Sequence, residues 1–161
     1  MPINFKPSMG KGDLGFTDLF GGRRVPKTDR RVKLNALIDE LGALLGQAKT
    51  ALKNRGARED LADAQKTLLR ASGMIAGAKA DLAAATAALE TRISAKSAGM
   101  QPLKKFVLPG ETGPEALLHL ARAKTRICEI LAWEIKAKAP AVYLNRLSDF
   151  LFLAALNAAR K

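Results

Sequence analysis

From Arg31 onward the apolar residues recur with a helical period: Leu34, Leu37, Ile38, Leu41, Leu44 and Leu45 fall on one face. Asp29 stands just ahead of that run as a plausible N-cap, and Pro26 forbids an earlier start. The spacing predicts a first helix that fades near Asn54–Gly56. A second helix is expected from about Arg58 to Lys79, with Leu61, Ala64, Leu68, Ala71 and Ile75 inside, and an Ala-rich third from about Asp81 to Lys96. Gly99, Pro102, Pro109, Gly110 and Gly113 make residues 97–113 a loop. Pro114 suits the first position of a fourth helix reaching about Lys138, after which Pro140 breaks the chain before a fifth helix. Residues 1–30 are a Gly-rich, basic lead-in with no strand expected. The pattern is all-α: a single-domain five-helix bundle over 31–161, preceded by a Gly-rich N-terminal loop.

Composition agrees. Hydrophobic residues make up 48% of the 161-residue chain but aromatics only 5%, so Ala and Leu carry the apolar content, which suits helices. The single cysteine, Cys128, rules out an intrachain disulfide. Met1–Phe20 has no apolar run of the signal-peptide kind, and Phe150–Ala159 is too short to span a bilayer. A cytoplasmic protein without a membrane partner is the expectation. The net charge of +12 favours an anionic partner, a polyphosphate or a nucleic acid. Base stacking needs exposed aromatics among basic residues, whereas Trp133 and Tyr143 stand apart, which weighs against nucleic acid.

Three stretches could carry chemistry. On the fourth helix His119, Arg122, Arg126, Glu129 and Trp133 are spaced 3, 4, 3 and 4 and share one face, with Leu117, Leu120, Cys128, Leu131 and Ile135 opposite. Two guanidinium groups one turn apart could bind phosphate or pair with an acid elsewhere; a solvated, self-paired face is the ordinary alternative. Asp39, a mediocre helix former in mid-helix, invites a partner from another element. Gly12-Asp13-Leu14-Gly15, among Lys and Arg, offers loop N–H groups for a phosphate. With one histidine and one thiol, neither a His-based zinc site nor a Cys–His pair with a third orienting residue is credible, and there is no P-loop.

Four segments together resemble the PduO-type ATP:corrinoid adenosyltransferases in order and spacing. They are Gly12-Asp13-Leu14-Gly15-Phe16-Thr17 with Gly22-Arg23-Arg24-Val25-Pro26-Lys27; Ile38-Asp39-Glu40-Leu41; Phe106-Val107-Leu108-Pro109-Gly110 with Leu118-His119-Leu120-Ala121-Arg122; and Tyr143 through Phe152. The resemblance implies a homotrimer with active sites between subunits. It implies transfer of the 5′-deoxyadenosyl group of ATP, taken as its Mg²⁺ complex, to the cobalt of cob(I)alamin or a related corrinoid, with release of triphosphate. A corrinoid reductase or an acceptor enzyme is a further partner of this class.

By position, the resemblance makes Gly12, Asp13, Gly15 and Thr17 the ATP loop and Lys27 its phosphate-contacting lysine. Asp39 and Arg122 become a pair across the subunit interface beside the corrinoid, and Phe106 the aromatic that packs where the lower axial ligand would sit. Arg126, Glu129 and Asn145 are implied on the ATP side. The chain departs from the family pattern at Met9-Gly10-Lys11, at Glu111 in place of a second glycine, and at Ile127 and Ile130 in place of arginines. Each lost phosphate-binding arginine removes a charge-assisted contact worth roughly 1.5–3 kcal/mol. The departures keep open a competing reading, a weak or silent relative that binds nucleotide or corrinoid as a sensor or carrier.

Overall fold

The computed structural model describes residues 9–159 and contains the five expected helices: α1 (Arg30–Ala51), α2 (Arg55–Ala76), α3 (Ala83–Ser97), α4 (Gly113–Glu134) and α5 (Lys138–Ala159). Their ends follow side-chain chemistry that periodicity alone does not register. Asp29 caps α1, accepting the Arg31 N–H at 2.8 Å. Helix α1 stops at Ala51 because Asn54 is recruited as the cap of α2, accepting the Ala57 N–H at 2.9 Å. Gly77, at φ 107°, ends α2 in a left-handed turn short of the expected Lys79. Thr112 and Glu115 form a reciprocal capping box on α4, so Pro114 occupies its second position rather than its first.

The largest boundary error falls between α4 and α5. Helix α4 ends at Glu134, not Lys138, and Lys136 reverses the chain with φ 59°. Pro140 does not break the chain; it lies in the first turn of α5, where a missing N–H leaves no bond unmade.

Helix α4 packs along α5 and α1, α2 lies against α1, and α3 against α5. The core joins Leu34, Ile38, Leu41 and Leu45 to Leu118, Ala121, Cys128 and Ala132, and to Leu144, Leu147 and Leu151. The buried seam of α4 thus runs through Leu118, Ala121, Thr125, Cys128 and Ala132. This rotates the face assigned from sequence: Leu120, placed inward, is exposed, and His119, placed on the charged face, is buried.

Ahead of the bundle stands an element that was not expected. Phe16–Asp18 (β1) pairs antiparallel with Arg24–Pro26 (β2), in the register Phe16↔Pro26, Thr17↔Val25, Asp18↔Arg24. Gly21 and Gly22, at φ 76° and 79°, turn the chain between them. Three-residue strands with mixed polarity give no alternation for a sequence pattern to register. The hairpin buries Leu19 and Val25, and neither belongs to the bundle core.

Candidate active site

The Gly-rich lead-in folds as two tight turns before β1: Asp13 N–H donates to the Gly10 carbonyl at 3.2 Å and Gly15 N–H to that of Gly12 at 3.1 Å. The backbone of Lys27 returns to this loop, its N–H bonding the Gly15 carbonyl at 2.8 Å. Gly15 holds φ 78° there, a conformation that any side chain would strain. The Lys27 side chain folds over Gly12, so a Cβ at that glycine would stand 2.9 Å from Nζ. The result is a polar cleft of about 460 Å³ lined by Gly12, Asp13, Thr17 and Lys27, with Lys11 and Arg24 alongside. Arg24 is braced there by Asp18 at 3.5 Å, by the Lys11 carbonyl at 3.1 Å, and by the Phe16 ring. Lys11, Asp18 and Arg24 were not among the individual site residues expected; strand pairing sets Asp18 opposite Arg24, while Lys11 precedes Gly12 in the loop.

A second cleft, of about 480 Å³, opens between the 103–107 loop and helices α4 and α5. Phe106, Arg122, His119 and Phe152 meet there, together with Lys104 and Lys105. The Arg122 guanidinium lies 5.8 Å from the centre of the Phe152 ring, and His119 meets that ring edge-on at 5.9 Å. Phe106 is fully exposed. Arg122 Nε is buried without a hydrogen-bond partner, and no ion pair among the described residues involves this arginine.

Beneath this cleft Glu115 is buried, and one of its oxygens accepts the N–H groups of Gly110 (2.9 Å) and Glu111 (3.1 Å), with Thr112 at 3.5 Å. Its other oxygen lies 3.1 Å from His119 Nε2, at angles too poor for a hydrogen bond. Burial works to raise the Glu115 pKa, but the Gly110, Thr112 and Glu111 N–H groups and the nearby His119 outweigh it and hold the carboxyl below its usual range. Burial pushes the His119 pKa down and Arg122 adds to the effect, against Glu115, so the imidazole is neutral at pH 7. Glu115 and Phe152 were not expected as site residues. The box Thr112-x-x-Glu115 was readable as a cap, but nothing in the sequence marked its carboxylate as the anchor of the loop leading to Phe106.

The remaining expected residues lie elsewhere in the chain. Asn145 Nδ2 donates to Glu129 Oε1 at 3.1 Å across α4 and α5, and Arg146 connects Asn145 to Glu90 of α3. Arg126 is exposed nearby in sequence on α4, with no ion pair among the described residues. Asp39 is exposed in a groove between α1 and α2 beside Gln65 and Ser72, and likewise has no hydrogen bond or ion pair among the described residues. It shares no cleft with Arg122 of its own chain. Its neighbour Glu40 instead holds Lys124 of α4 at 2.8 Å. Ile127 and Ile130 are exposed on α4, and Glu111 lines neither cleft.

Over residues 8–158 the sequence matches the family model described as cobalamin adenosyltransferase, and the chain belongs to that family. It is 37% identical to a corrinoid adenosyltransferase of Bacillus subtilis over 89% of this chain and 81% of the relative. It is 38% identical to a corrinoid adenosyltransferase of Mycobacterium tuberculosis, over 88% of this chain and 82% of that one. Among solved structures, a variant PduO-type ATP:corrinoid adenosyltransferase from Lactobacillus reuteri, complexed with cobalamin and ATP, superposes with a TM-score of 0.88 at 27% identity. That likeness covers 96% of this chain and 91% of the other.

Proposed function

We propose that this chain transfers the 5′-deoxyadenosyl group of ATP to the cobalt of a reduced corrinoid, in an assembly of three copies whose sites lie between neighbours. The observation that carries the reading is a pair of complementary orphans. Among the described residues Asp39 has no hydrogen-bond or ion-pair partner, and neither does the buried Nε of Arg122. An aspartate of one copy set against Arg122 of the next satisfies both, at the edge of the Phe106–Phe152 cleft.

In the proposed reaction the Co(I) electron pair attacks C5′ of the ribose. A Co–C bond forms, the C5′–O bond breaks, and triphosphate leaves with its bonding pair while cobalt becomes Co(III). No protein nucleophile or base is needed, so the residues bind, orient and exclude water. The 12–27 loop offers N–H groups and the Lys27 ammonium to the triphosphate, where charge accumulates as it departs. Arg126, Glu129 and Asn145 take the rest of the nucleotide. Phe106, poised in solvent, folds onto the lower face of the corrinoid and keeps water from the axial position. Neutral His119 and the Phe152 ring hold the Arg122 guanidinium in line.

The test is an anaerobic assay with reductant, cobalamin and Mg-ATP, read by the spectrum of the new Co–C bond. Asp39→Ala and Arg122→Ala chains are each expected to be inactive alone. When unfolded and refolded together they recover part of the activity, because some interfaces then combine the intact Asp39 of one chain with the intact Arg122 of the other. Absence of recovery, with both variants assembled, would sink the shared-site arrangement.

A further inference from the structure

The corrinoid cleft is more cationic than the proposed chemistry needs. Its lining is Leu103, Lys104, Lys105, Phe106, Val107, His119, Arg122 and Phe152: three cations, no carboxylate, and otherwise apolar or neutral groups. Arg122 is already matched by Asp39 of a neighbouring copy in the reading above, on which this inference rests. That leaves two adjacent lysines with no ion pair among the described residues, on the same loop as Phe106 and exposed to solvent. A second, separate cleft carries Lys11, Arg24 and Lys27 for the triphosphate.

A corrin ring is ringed by neutral amides, and its cobalt is screened by the macrocycle. A complete corrinoid carries one further anionic group, the phosphodiester of the tail that bears its lower base. If Phe106 occupies the lower face, as proposed above, that base must leave cobalt, and the phosphodiester, attached on the same face, would be freed on the side where Phe106 and its loop stand.

We propose that Lys104 and Lys105 bind this phosphodiester, making the cleft selective for corrinoids that carry a phosphorylated tail over those that end at the amino-alcohol. The contact forms best once the base has dissociated, so it favours the base-off state that Phe106 requires. Two flexible lysines suit the role, since a swinging tail presents its phosphate over a range of positions and point charges tolerate that range better than a fixed guanidinium fork.

The experiment compares cobalamin, cobinamide phosphate and cobinamide. It measures equilibrium binding by spectral titration of the Co(II) forms and kcat/KM for adenosyl transfer after reduction. The full-length wild-type chain is set against K104A/K105A and K104R/K105R. The expected result is a preference of about tenfold at low salt for both phosphate-bearing corrinoids over cobinamide, shrinking as salt screens the contact. That preference collapses to near unity in the alanine variant and survives in the arginine one, with the KM for ATP unchanged. Three outcomes overturn the proposal: equal binding of all three corrinoids by wild type; cobinamide phosphate behaving like cobinamide, which would mean that the base is recognised; or a rise in the KM for ATP in the alanine variant with the corrinoid preference intact, which would assign the lysines to triphosphate. Should wild type bind the corrinoids selectively yet form no Co–C bond, the transferase reading fails while the tail-binding assignment stands.

Discussion

The two clefts of this molecule are built in opposite ways. The Arg122 cleft rests on the bundle: Arg122, His119 and Phe152 project from α4 and α5, Glu115 anchors the adjoining loop, and the surrounding helices share one core. The Lys27 cleft rests on a hairpin with two buried side chains of its own, and its polar groups are loop N–H groups and exposed cations. The helical side of the first is positioned by packing, so disturbing His119 or Arg122 disturbs the fold, whereas its loop side, Lys104, Lys105 and Phe106, is exposed. The second is positioned by glycine conformations and a few backbone bonds, and disturbing it changes binding alone. The difference suits the ligands proposed for them: a large rigid ring needs a pre-formed wall, whereas a triphosphate needs charge and donors that can close around it.

The contrast can be tested in order of effect. Arg122→Ala strikes the packed side of its cleft and the proposed subunit pair together. It should lower kcat/KM for transfer by about a hundredfold or more, the range for removing one partner of a desolvated charge pair, in the steady-state spectral assay. Lys27→Ala should raise the KM for ATP about tenfold and lower kcat as well, while leaving the thermal midpoint nearly unchanged, since it removes one charge-assisted contact from an exposed site where the leaving triphosphate gathers charge. A fall in the midpoint comparable to that of a core substitution would erase the distinction between the two clefts.

His119 gives a subtler test. Its pKa is depressed in the folded protein by burial and by Arg122, so the unfolded chain binds the proton more readily. Stability linked to this group is complete above about pH 6.5, the unfolded value, and is lost as pH falls through the lower folded one. Denaturant midpoints should therefore decline between pH 7 and pH 5, and His119→Gln should flatten that slope. As the chain has no other histidine, an unchanged slope in the variant would refute the assignment. The smallest effect is expected at Cys128, whose thiol burial pushes up to about 11. It should resist thiol reagents in the native protein and react only on unfolding.

Much of this was legible in the sequence, and the failures have a common source. The leucine and alanine rows of α1 and α2 specified both helices, and the four family-like segments picked out Phe106 and Arg122, which the structure brings into one cleft. It likewise gathers Gly12, Asp13, Thr17 and Lys27 into the other. What escaped depends on side chains acting on a distant backbone. Asn54 shortened α1 by capping α2, and Lys136 rather than Pro140 made the last turn. The inward turn of His119 was hidden because α4 is amphipathic along a seam of small residues, Ala121, Thr125 and Cys128, which hydrophobicity weights lightly. The hairpin was hidden because its strands span three residues each.

The separate footing of the hairpin has an evolutionary consequence. Since Leu19 and Val25 are buried apart from the bundle core, replacements among the exposed residues of 10–27 meet little purging for foldability, whereas those on the α4 seam meet a great deal. Substitutions therefore collect in the stretch proposed to bind nucleotide, and lineages of this architecture should diverge in their affinity for ATP sooner than in their shape.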